Sequence, residues 1–212
     1  MPRNKYPEQT VEKILDAAAQ LFAQKGYQNT TLQDIIEQTK LSKGAVYHHF
    51  RSKEEIARRV GDRLGEQMWE PLRRIREDAA MTGLQKLQAV FEASFAEGRQ
   101  QQIADTLPHL CDDPKLLVME WQSIEERLAP QYIAPIIRQG VEDGSIRAED
   151  PDALAEALFV LADLWLSPQT RPTTAQQQRG RNAVFRQMTR ALGLELLTDE
   201  QAQQLEQSCV EK

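Results

Sequence analysis

Residues 30–53 of the chain read TTLQDIIEQTKLSKGAVYHHFRSK, and this stretch decides the fold of the N-terminal part. It places Ser and Thr just before apolar residues at helical spacing, which is typical of helix N-caps. The predicted caps are Thr30 with Gln33 or Thr31 with Asp34, then Ser42, then Ser52 with Glu55. Caps this close together predict short helices separated by tight turns, one of them at residues 39–41.

A further helix is predicted upstream of this stretch. Its apolar positions follow the spacing i, i+3, i+4 and i+7 and are Val11, Ile14, Leu15, Ala18 and Phe22. Gly26 lies where that helix would end. Almost no segment alternates apolar and polar residues with period two, so we expect an all-α fold. The predicted organisation is a three-helix helix-turn-helix domain at residues 1–52 and a larger helical domain at residues 53–212.

Proline and glycine mark the breaks between the longer helices that follow. Pro71 is expected to kink the helix that begins after Ser52. Residues 115–142 are expected to form one bent or broken helix, because prolines interrupt an otherwise helical pattern. The next helix, residues 152–166, is apolar on nearly every side, which predicts burial on nearly every side.

The charge of the chain is unevenly distributed. The whole chain carries −6, but residues 1–63 hold 11 Lys and Arg against 8 Asp and Glu, a net of +3, which leaves −9 for the remainder. A basic N-terminal part on an acidic body would meet DNA with its basic end, although a solvated acidic surface is the commoner meaning of such excess. Two widely separated cysteines, a polar start and no apolar run near 20 residues favour a cytoplasmic protein.

The helix predicted at residues 43–50 has two distinct faces. At about 100° per residue, Val46 and Phe50 fall together and should face the other helices. Gly44, Ala45 and His48 then point outward. Because glycine and alanine have almost no side chain, the helix backbone could approach base edges, and Ala45 could touch a thymine methyl group.

Polar side chains surround this bare surface. Tyr47 and His49 lie on its flanks, where they could reach phosphate oxygens, and Lys43 and Lys53 add positive charge at its two ends. Thr31 lies at the start of the preceding helix, whose backbone N–H groups could bind another phosphate. Two short helices meeting at an angle also occur in proteins that never bind DNA. This pattern alone therefore does not decide between a DNA-binding surface and an ordinary surface or core cluster.

From about residue 11 to residue 56 the sequence resembles the N-terminal signature of the TetR (tetracycline repressor) family, through TTLQDII and LSKGAVYHHFRSKEE. The resemblance implies a DNA-binding domain with residues 43–50 as its recognition helix. It places at the DNA Thr31, Lys43, Gly44, Ala45, Tyr47, His48, His49 and Lys53. Lys40 departs from the pattern, since the family usually has glycine there; either the turn is altered or the lysine adds a phosphate contact.

A DNA-binding domain with about eight contacting residues reads only a few base pairs. Specificity therefore requires two such domains on a palindromic operator. We therefore expect a homodimer in which residues 152–166 and 175–192 pair with their copies. This would explain a helix that is apolar both toward its own core and outward. The predicted interface residues are Leu154, Leu158, Leu161, Val184, Met188 and Leu192.

The resemblance also implies an effector pocket for an unidentified small molecule, whose occupation moves the fourth helix and releases the DNA. Its candidate lining is Trp69, Phe91, Phe95, Trp121 and Trp165, with ordinary core packing as the alternative for each. Glu156 and Asp163 could hold a cationic effector or make an interface hydrogen bond. His109 and Cys111 near Asp112 and Asp113 fit no compact zinc pattern, so no metal or cofactor is expected.

Other functions are disfavoured by particular features of the sequence. No enzyme is expected, because the chain has no phosphate-binding glycine loop and no His-Glu-x-x-His. An architectural DNA binder would need basic charge over an extended surface, which the acidic body lacks. The sequence therefore predicts a ligand-responsive repressor, and it does not separate this from an effector-independent repressor or an activator of the same fold.

Overall fold

The computed structural model describes residues 7–95, 114–168 and 173–209. Over these residues the chain is helical and contains no strand, as predicted. The elements are α1 Pro7–Lys25, α2 Leu32–Thr39, α3 Lys43–His49, α4 Lys53–Glu77, α5 Gly83–Phe95, α6 Pro114–Ser123, π1 Ile124–Ile133, α7 Ala134–Glu142, α8 Pro151–Phe159, π2 Val160–Leu166, α9 Ala175–Ala191 and α10 Asp199–Gln207. No helix in the described ranges is both long and apolar enough to cross a membrane.

The described residues form two compact units, one up to residue 68 and the other from residue 69 onward. The first unit comprises α1, α2, α3 and most of α4. Because α4 runs without interruption through this division, the division falls inside a helix. The boundary that the sequence predicts after residue 52 coincides with the start of α4 and stays a prediction.

The core of the first unit is formed by the apolar faces that the helical spacing predicts. Ile14 of α1, Ile35 of α2, Val46 of α3 and Ile56 of α4 are each 0% exposed and belong to one cluster. Each helix contributes its inward face to the same small core, so the orientation of α3 is fixed by three neighbouring helices.

The helix starts in this unit show which of the predicted caps form. The Thr31 hydroxyl accepts a bond from the N–H of Asp34 at 3.1 Å, and the Asp34 carboxylate accepts one from the N–H of Thr31 at 2.7 Å. Of the two alternatives for α2, this capping box with Thr31 is the one present. Thr30 is buried instead, and its hydroxyl donates to the carbonyl of Gly26 at 2.8 Å.

The capping box predicted at the start of α4 forms only in part. The Ser52 hydroxyl accepts from the N–H of Glu55 at 3.1 Å, as predicted. The carboxylate of Glu55, however, accepts from the N–H of Arg51 at 2.8 Å. A glutamate side chain is long enough to reach the residue before the cap, so the start of α4 is capped over one additional residue.

The turn between α2 and α3 contains a left-handed residue. Lys40 has φ 55° and ψ 27°, and it is the one non-glycine residue with positive φ in the described part of the chain. Its N–H donates to the carbonyl of Glu37 at 3.2 Å and closes the end of α2. This conformation explains why glycine suits the position, because only glycine adopts it without a steric cost.

Residues 114–142 of the second unit form one helical path with an irregular centre, as predicted. α6, π1 and α7 follow one another directly, and Pro130 lies inside π1. Pro135 lies in the first turn of α7 and has no N–H to donate to the preceding π1 segment. In α4 the helix continues on both sides of Pro71, and the kink expected there stays a prediction.

The helix predicted at residues 152–166 consists of α8 and π2. Asp150 caps its start and Pro151 occupies the first position. Leu158, Phe159, Ala162 and Leu166 are all buried by the chain itself. The chain therefore covers most of this apolar helix without a partner.

Candidate nucleic-acid interface

The recognition helix predicted from the sequence has the predicted orientation. Val46 is 0% exposed and Phe50 at its end is 3% exposed, whereas Gly44 and His48 are exposed on the opposite side. Ala45 is half-buried and lies at the edge of that outer surface. The outward side of α3 is therefore formed chiefly by Gly44 and His48, with the Gly44 backbone open to solvent.

Gly44 is not required by the packing of the chain itself. A Cβ atom built at Gly44 would meet no atom within 4 Å. Its backbone is held as the second residue of α3, whose first turn is capped by the Ser42 hydroxyl accepting from the N–H of Ala45 at 3.2 Å. The glycine thus leaves open space at the surface of α3, and no other part of the described chain fills it.

The polar residues of α3 lie in two groups beside this open space. The Lys43 ammonium lies 5.6 Å from the centre of the Tyr47 ring, and Tyr47 is 44% exposed. His48 and His49 meet edge to face, with ring centres 5.1 Å apart. One flank of the helix therefore carries a cation and a hydroxyl, and the two imidazoles extend from the outward surface at His48 to the other flank at His49.

The start of α2 contains a hydrogen-bonded cluster that the sequence did not predict in full. Both donors of Thr31 are directed at Asp34, since its hydroxyl lies 2.7 Å from the Asp34 carboxylate and its N–H also bonds there. The Lys25 ammonium, at the end of α1, lies 2.8 Å from the same carboxylate. Hydrogen bonds from Lys25 and then from Thr31 hold the pKa of Asp34 far below its ordinary value.

Lys53 is directed at the chain itself. Its ammonium donates to the carbonyl of Tyr27 at 2.7 Å and lies 4.1 Å from the centre of the Tyr27 ring. The contact joins the start of α4 to the loop after α1 within the first unit. Its contact with DNA stays a prediction, and that contact would compete with the bond to Tyr27.

Lys40 is exposed in the turn that leads into α3. Its ammonium forms no ion pair among the described residues. The lysine therefore combines an unfavourable backbone conformation with an exposed positive charge close to the recognition helix.

The aromatic residues predicted to line an effector pocket lie in separate surroundings. Phe91 is 1% exposed and contacts the rings of Phe95, Phe159 and Phe185 at centre distances of 6.0, 5.5 and 5.9 Å. These contacts are those of a packed core. Ordinary core packing, the alternative to a pocket lining, therefore accounts for Phe91 and Phe95.

None of the three tryptophans of that set makes a ring contact with this aromatic core among the described residues. Trp69 is 7% exposed and packs on Tyr132, with Arg127 above its ring. Trp121 is 42% exposed and donates to Glu125 at 3.1 Å, and Trp165 is half-buried. A cleft of about 760 Å³ between α5, α9 and α10 is lined by charged groups such as Arg186 and Asp199 and by none of the predicted aromatics. The effector pocket stays a prediction.

The predicted dimer residues divide into two groups. Val184, Met188 and Leu192 are 45%, 45% and 47% exposed, and their spacing of four residues places them on one side of α9 and its end. Leu158 is 3% exposed in the single chain, so its burial needs no partner, and Leu154 and Leu161 are half-buried.

The possible metal ligands His109, Cys111, Asp112 and Asp113 lie outside the described residues. Elsewhere, within the described ranges, no group of three or more His, Cys, Asp or Glu is placed to hold a metal ion.

Comparison with known proteins gives the same answer for the N-terminal part and extends it over most of the chain. Residues 14–60 match the family described as bacterial regulatory proteins, tetR family. The chain is 31% identical over 166 residues to the HTH-type transcriptional repressor KstR2 of Mycolicibacterium smegmatis, covering 76% of this chain and 78% of that protein. It is 29% identical over 151 residues to the repressor DhaR of a Mycobacterium species, covering 70% of this chain and 76% of DhaR.

Solved structures share the fold. A transcriptional regulator of Pseudomonas aeruginosa has a TM-score of 0.60 at 22% identity, with 88% of this chain and 95% of that chain covered. SmeT, the repressor of the Stenotrophomonas maltophilia multidrug efflux pump SmeDEF, has a TM-score of 0.58 at 24% identity, with 88% and 92% covered. The arrangement of α1 to α3, the family match and the identity to KstR2 along most of both proteins lead to one conclusion: the chain belongs to the TetR family of DNA-binding bacterial transcriptional regulators.

Proposed function

We propose that this regulator is a repressor that binds a palindromic operator as a homodimer and leaves it when a small-molecule effector binds. The assignment of the DNA-binding surface is supported by the exposure of Gly44 and His48 on a helix whose opposite side is buried in the core. A short helix with this shape fits a B-DNA major groove about 12 Å wide.

In the proposed complex the bare side of α3 enters the major groove. The Gly44 backbone approaches the base edges, and Ala45 and His48 lie beside it. Lys43, Tyr47 and His49 reach the phosphates that border the groove, since all three lie between the inward and the outermost side of the helix. Thr31 and Lys53 complete the set of proposed contacts, Thr31 through the start of α2 and Lys53 if it exchanges its bond to Tyr27.

The proposed dimer uses the exposed apolar side of α9. Three large side chains there expose nearly half of their surface, which is unusual for neighbouring positions on one helix of a monomer. A two-fold axis would place each stripe against its copy, because an isologous interface buries the same patch on both subunits. Leu154 and Leu161 lie at intermediate exposure and can extend it, whereas Leu158 already belongs to the core of its own chain.

The proposed effector acts through a difference in affinity between two spacings of the DNA-binding domains. A preference of about 3 kcal/mol for the non-binding spacing shifts the equilibrium by roughly a hundredfold. KstR2, DhaR and SmeT are each named as repressors, which favours repression for this chain as well. We place the regulator in the cytoplasm, with the chromosomal DNA on which a repressor acts.

The test is selection of bound fragments from random duplex DNA at a fixed salt concentration. We expect a palindromic consensus with half-sites one helical turn apart or slightly more. Recovery of sequences with no common motif, or of a single unrepeated half-site, would contradict the proposal. A thermal-shift screen then separates a ligand-responsive repressor from an effector-independent one, because an effector must raise the melting temperature and weaken operator binding together.

A further inference from the structure

An acidic side chain lies at the N-terminal end of α2. In the proposed complex this end of the helix faces a phosphate. Asp34 is the third residue of α2, and its carboxylate folds back to accept the N–H of Thr31 at 2.7 Å. The first two N–H groups of the helix, those of Leu32 and Gln33, have no acceptor in the described part of the chain. These are the groups on which a helix start binds an anion.

A phosphate on these N–H groups would lie close to the Asp34 carboxylate. The carboxylate lies 2.7 Å from the N–H of Thr31, the residue directly before Leu32, so it is held at the same end of the helix as these free N–H groups. The hydrogen bonds from Lys25 and Thr31 keep Asp34 ionised, since the pKa of its carboxyl is held far below its ordinary value. An uncompensated carboxylate in this position would oppose the phosphate.

Lys25 is placed to compensate it. Its ammonium lies 2.8 Å from Asp34, with side-chain exposures of 37% for the lysine and 31% for the aspartate. Lys25 ends α1, where a cation is also favoured by the helix dipole. The contact therefore joins the ends of two helices and cancels the charge of Asp34 without removing the cap that Asp34 provides.

We propose that Lys25 is a positioning residue of the DNA interface, which neutralises Asp34 so that the start of α2 can accept a phosphate of the operator. The inference rests on the proposed orientation of α2 and α3 on DNA. Lys25 acts here through Asp34 and makes no phosphate contact of its own. In a double-mutant cycle, the effect of removing Lys25 should therefore disappear when Asp34 is neutral. A direct contact or a structural role would leave the effect in place.

The experiment compares Lys25→Met, Asp34→Asn and the double variant in the full-length protein. The probe is a labelled duplex recovered by the selection described above, and binding is measured by fluorescence anisotropy between 50 and 200 mM salt. Lys25→Met should weaken binding about tenfold, because it leaves Asp34 charged beside the phosphate. Asp34→Asn keeps the cap and should bind within about twofold of the wild type. The double variant should bind like Asp34→Asn alone.

Persistence of the tenfold loss in the double variant would overturn the proposal, because Lys25 would then act independently of Asp34. Equal binding by Lys25→Met and the wild type would also overturn it. Lys13→Met is the matched control, since it removes the same charge from an exposed position on α1 away from Asp34. Circular dichroism of each variant, recorded with the binding data, identifies any loss that comes from unfolding.

Lys43→Met distinguishes failure of this inference from failure of the proposed interface. If Lys43→Met weakens binding and Lys25→Met does not, the interface holds and the role of Lys25 is wrong. If neither variant changes affinity, the proposed surface itself is wrong.

Discussion

The ammonium of Lys53 lies 2.7 Å from the carbonyl oxygen of Tyr27 and 4.1 Å from the centre of its ring. The two residues are 26 positions apart and are joined only because α4 begins beside the loop after α1. A side chain that the sequence predicts as a DNA contact is thus, in the free protein, a link between two parts of the DNA-binding unit.

Lys53→Met should lower the free energy of unfolding by about 2 kcal/mol. The variant loses a charge-assisted hydrogen bond and a cation–π contact, whose combined contribution is of this size. Urea denaturation measures the change, and Lys13→Met is the control because Lys13 is an exposed lysine on α1. An unchanged midpoint for Lys53→Met would show that the contact with Tyr27 contributes nothing to stability.

Lys40→Gly should raise the free energy of unfolding by about 1 kcal/mol, because glycine adopts the left-handed conformation of this turn without steric cost. Lys40→Ala removes the same charge but keeps the Cβ atom, so it should bring no such gain. The dependence of operator affinity on salt separates the two interpretations of Lys40. A phosphate contact predicts that the slope of log K against log salt becomes shallower by about 1 in both variants, and a mere change of turn predicts no difference.

Met188→Arg should convert the proposed dimer into a monomer. The arginine would place two like charges across the two-fold axis, in the middle of the exposed apolar stripe of α9. Sedimentation equilibrium measures the mass, and Val118→Arg provides the control, since Val118 is 56% exposed on α6 outside this stripe. A dimer that survives Met188→Arg would refute the assignment of α9 to the interface.

Glu120→Gln should change how stability depends on pH. Burial raises the pKa of Glu120 to about 7, and repulsion from the Asp163 carboxylate adds to the effect. The folded protein therefore binds a proton that the unfolded chain releases near pH 4.5, so stability falls as pH rises from about 4.5 to 7 and is level above that. The variant removes this loss.

At pH 8 Glu120→Gln should be more stable than the wild type by about 3 kcal/mol, and at pH 4.5 the two should differ little. Thermal unfolding followed across this range measures the difference. Glu142→Gln, on an exposed part of α7, is the control for the loss of one carboxylate. A Glu120→Gln curve parallel to that of the wild type would show that Glu120 carries no extra proton in the folded state.

The parts of the fold that the sequence predicted depend on contacts between residues close together in the chain. Thr31 and Asp34 are three residues apart, and helical spacing alone places Val46 opposite Gly44. The cap of α4 was predicted only in part, because a glutamate can reach either of two neighbouring N–H groups.

Contacts between residues far apart in the chain could not be predicted from helical spacing or cap motifs. Lys25 and Asp34 lie on different helices, and their ion pair exists only because α1 packs on α2. Periodicity showed that Leu158 faces an apolar surface, but it could not tell whether that surface belonged to the same chain or to a partner. The position of Lys25 at the end of α1 was a weak signal that could have directed attention to it.

The account depends most on the statement that the bare side of α3 enters the major groove. Gly44→Met tests this directly, because a side chain at this position meets open space in the free protein and methionine favours a helix more than glycine does. We predict that the variant is at least as stable to urea as the wild type and binds the selected operator between ten and about a hundred times more weakly, as overpacking of a close interface requires. Operator affinity equal to that of the wild type would contradict the account.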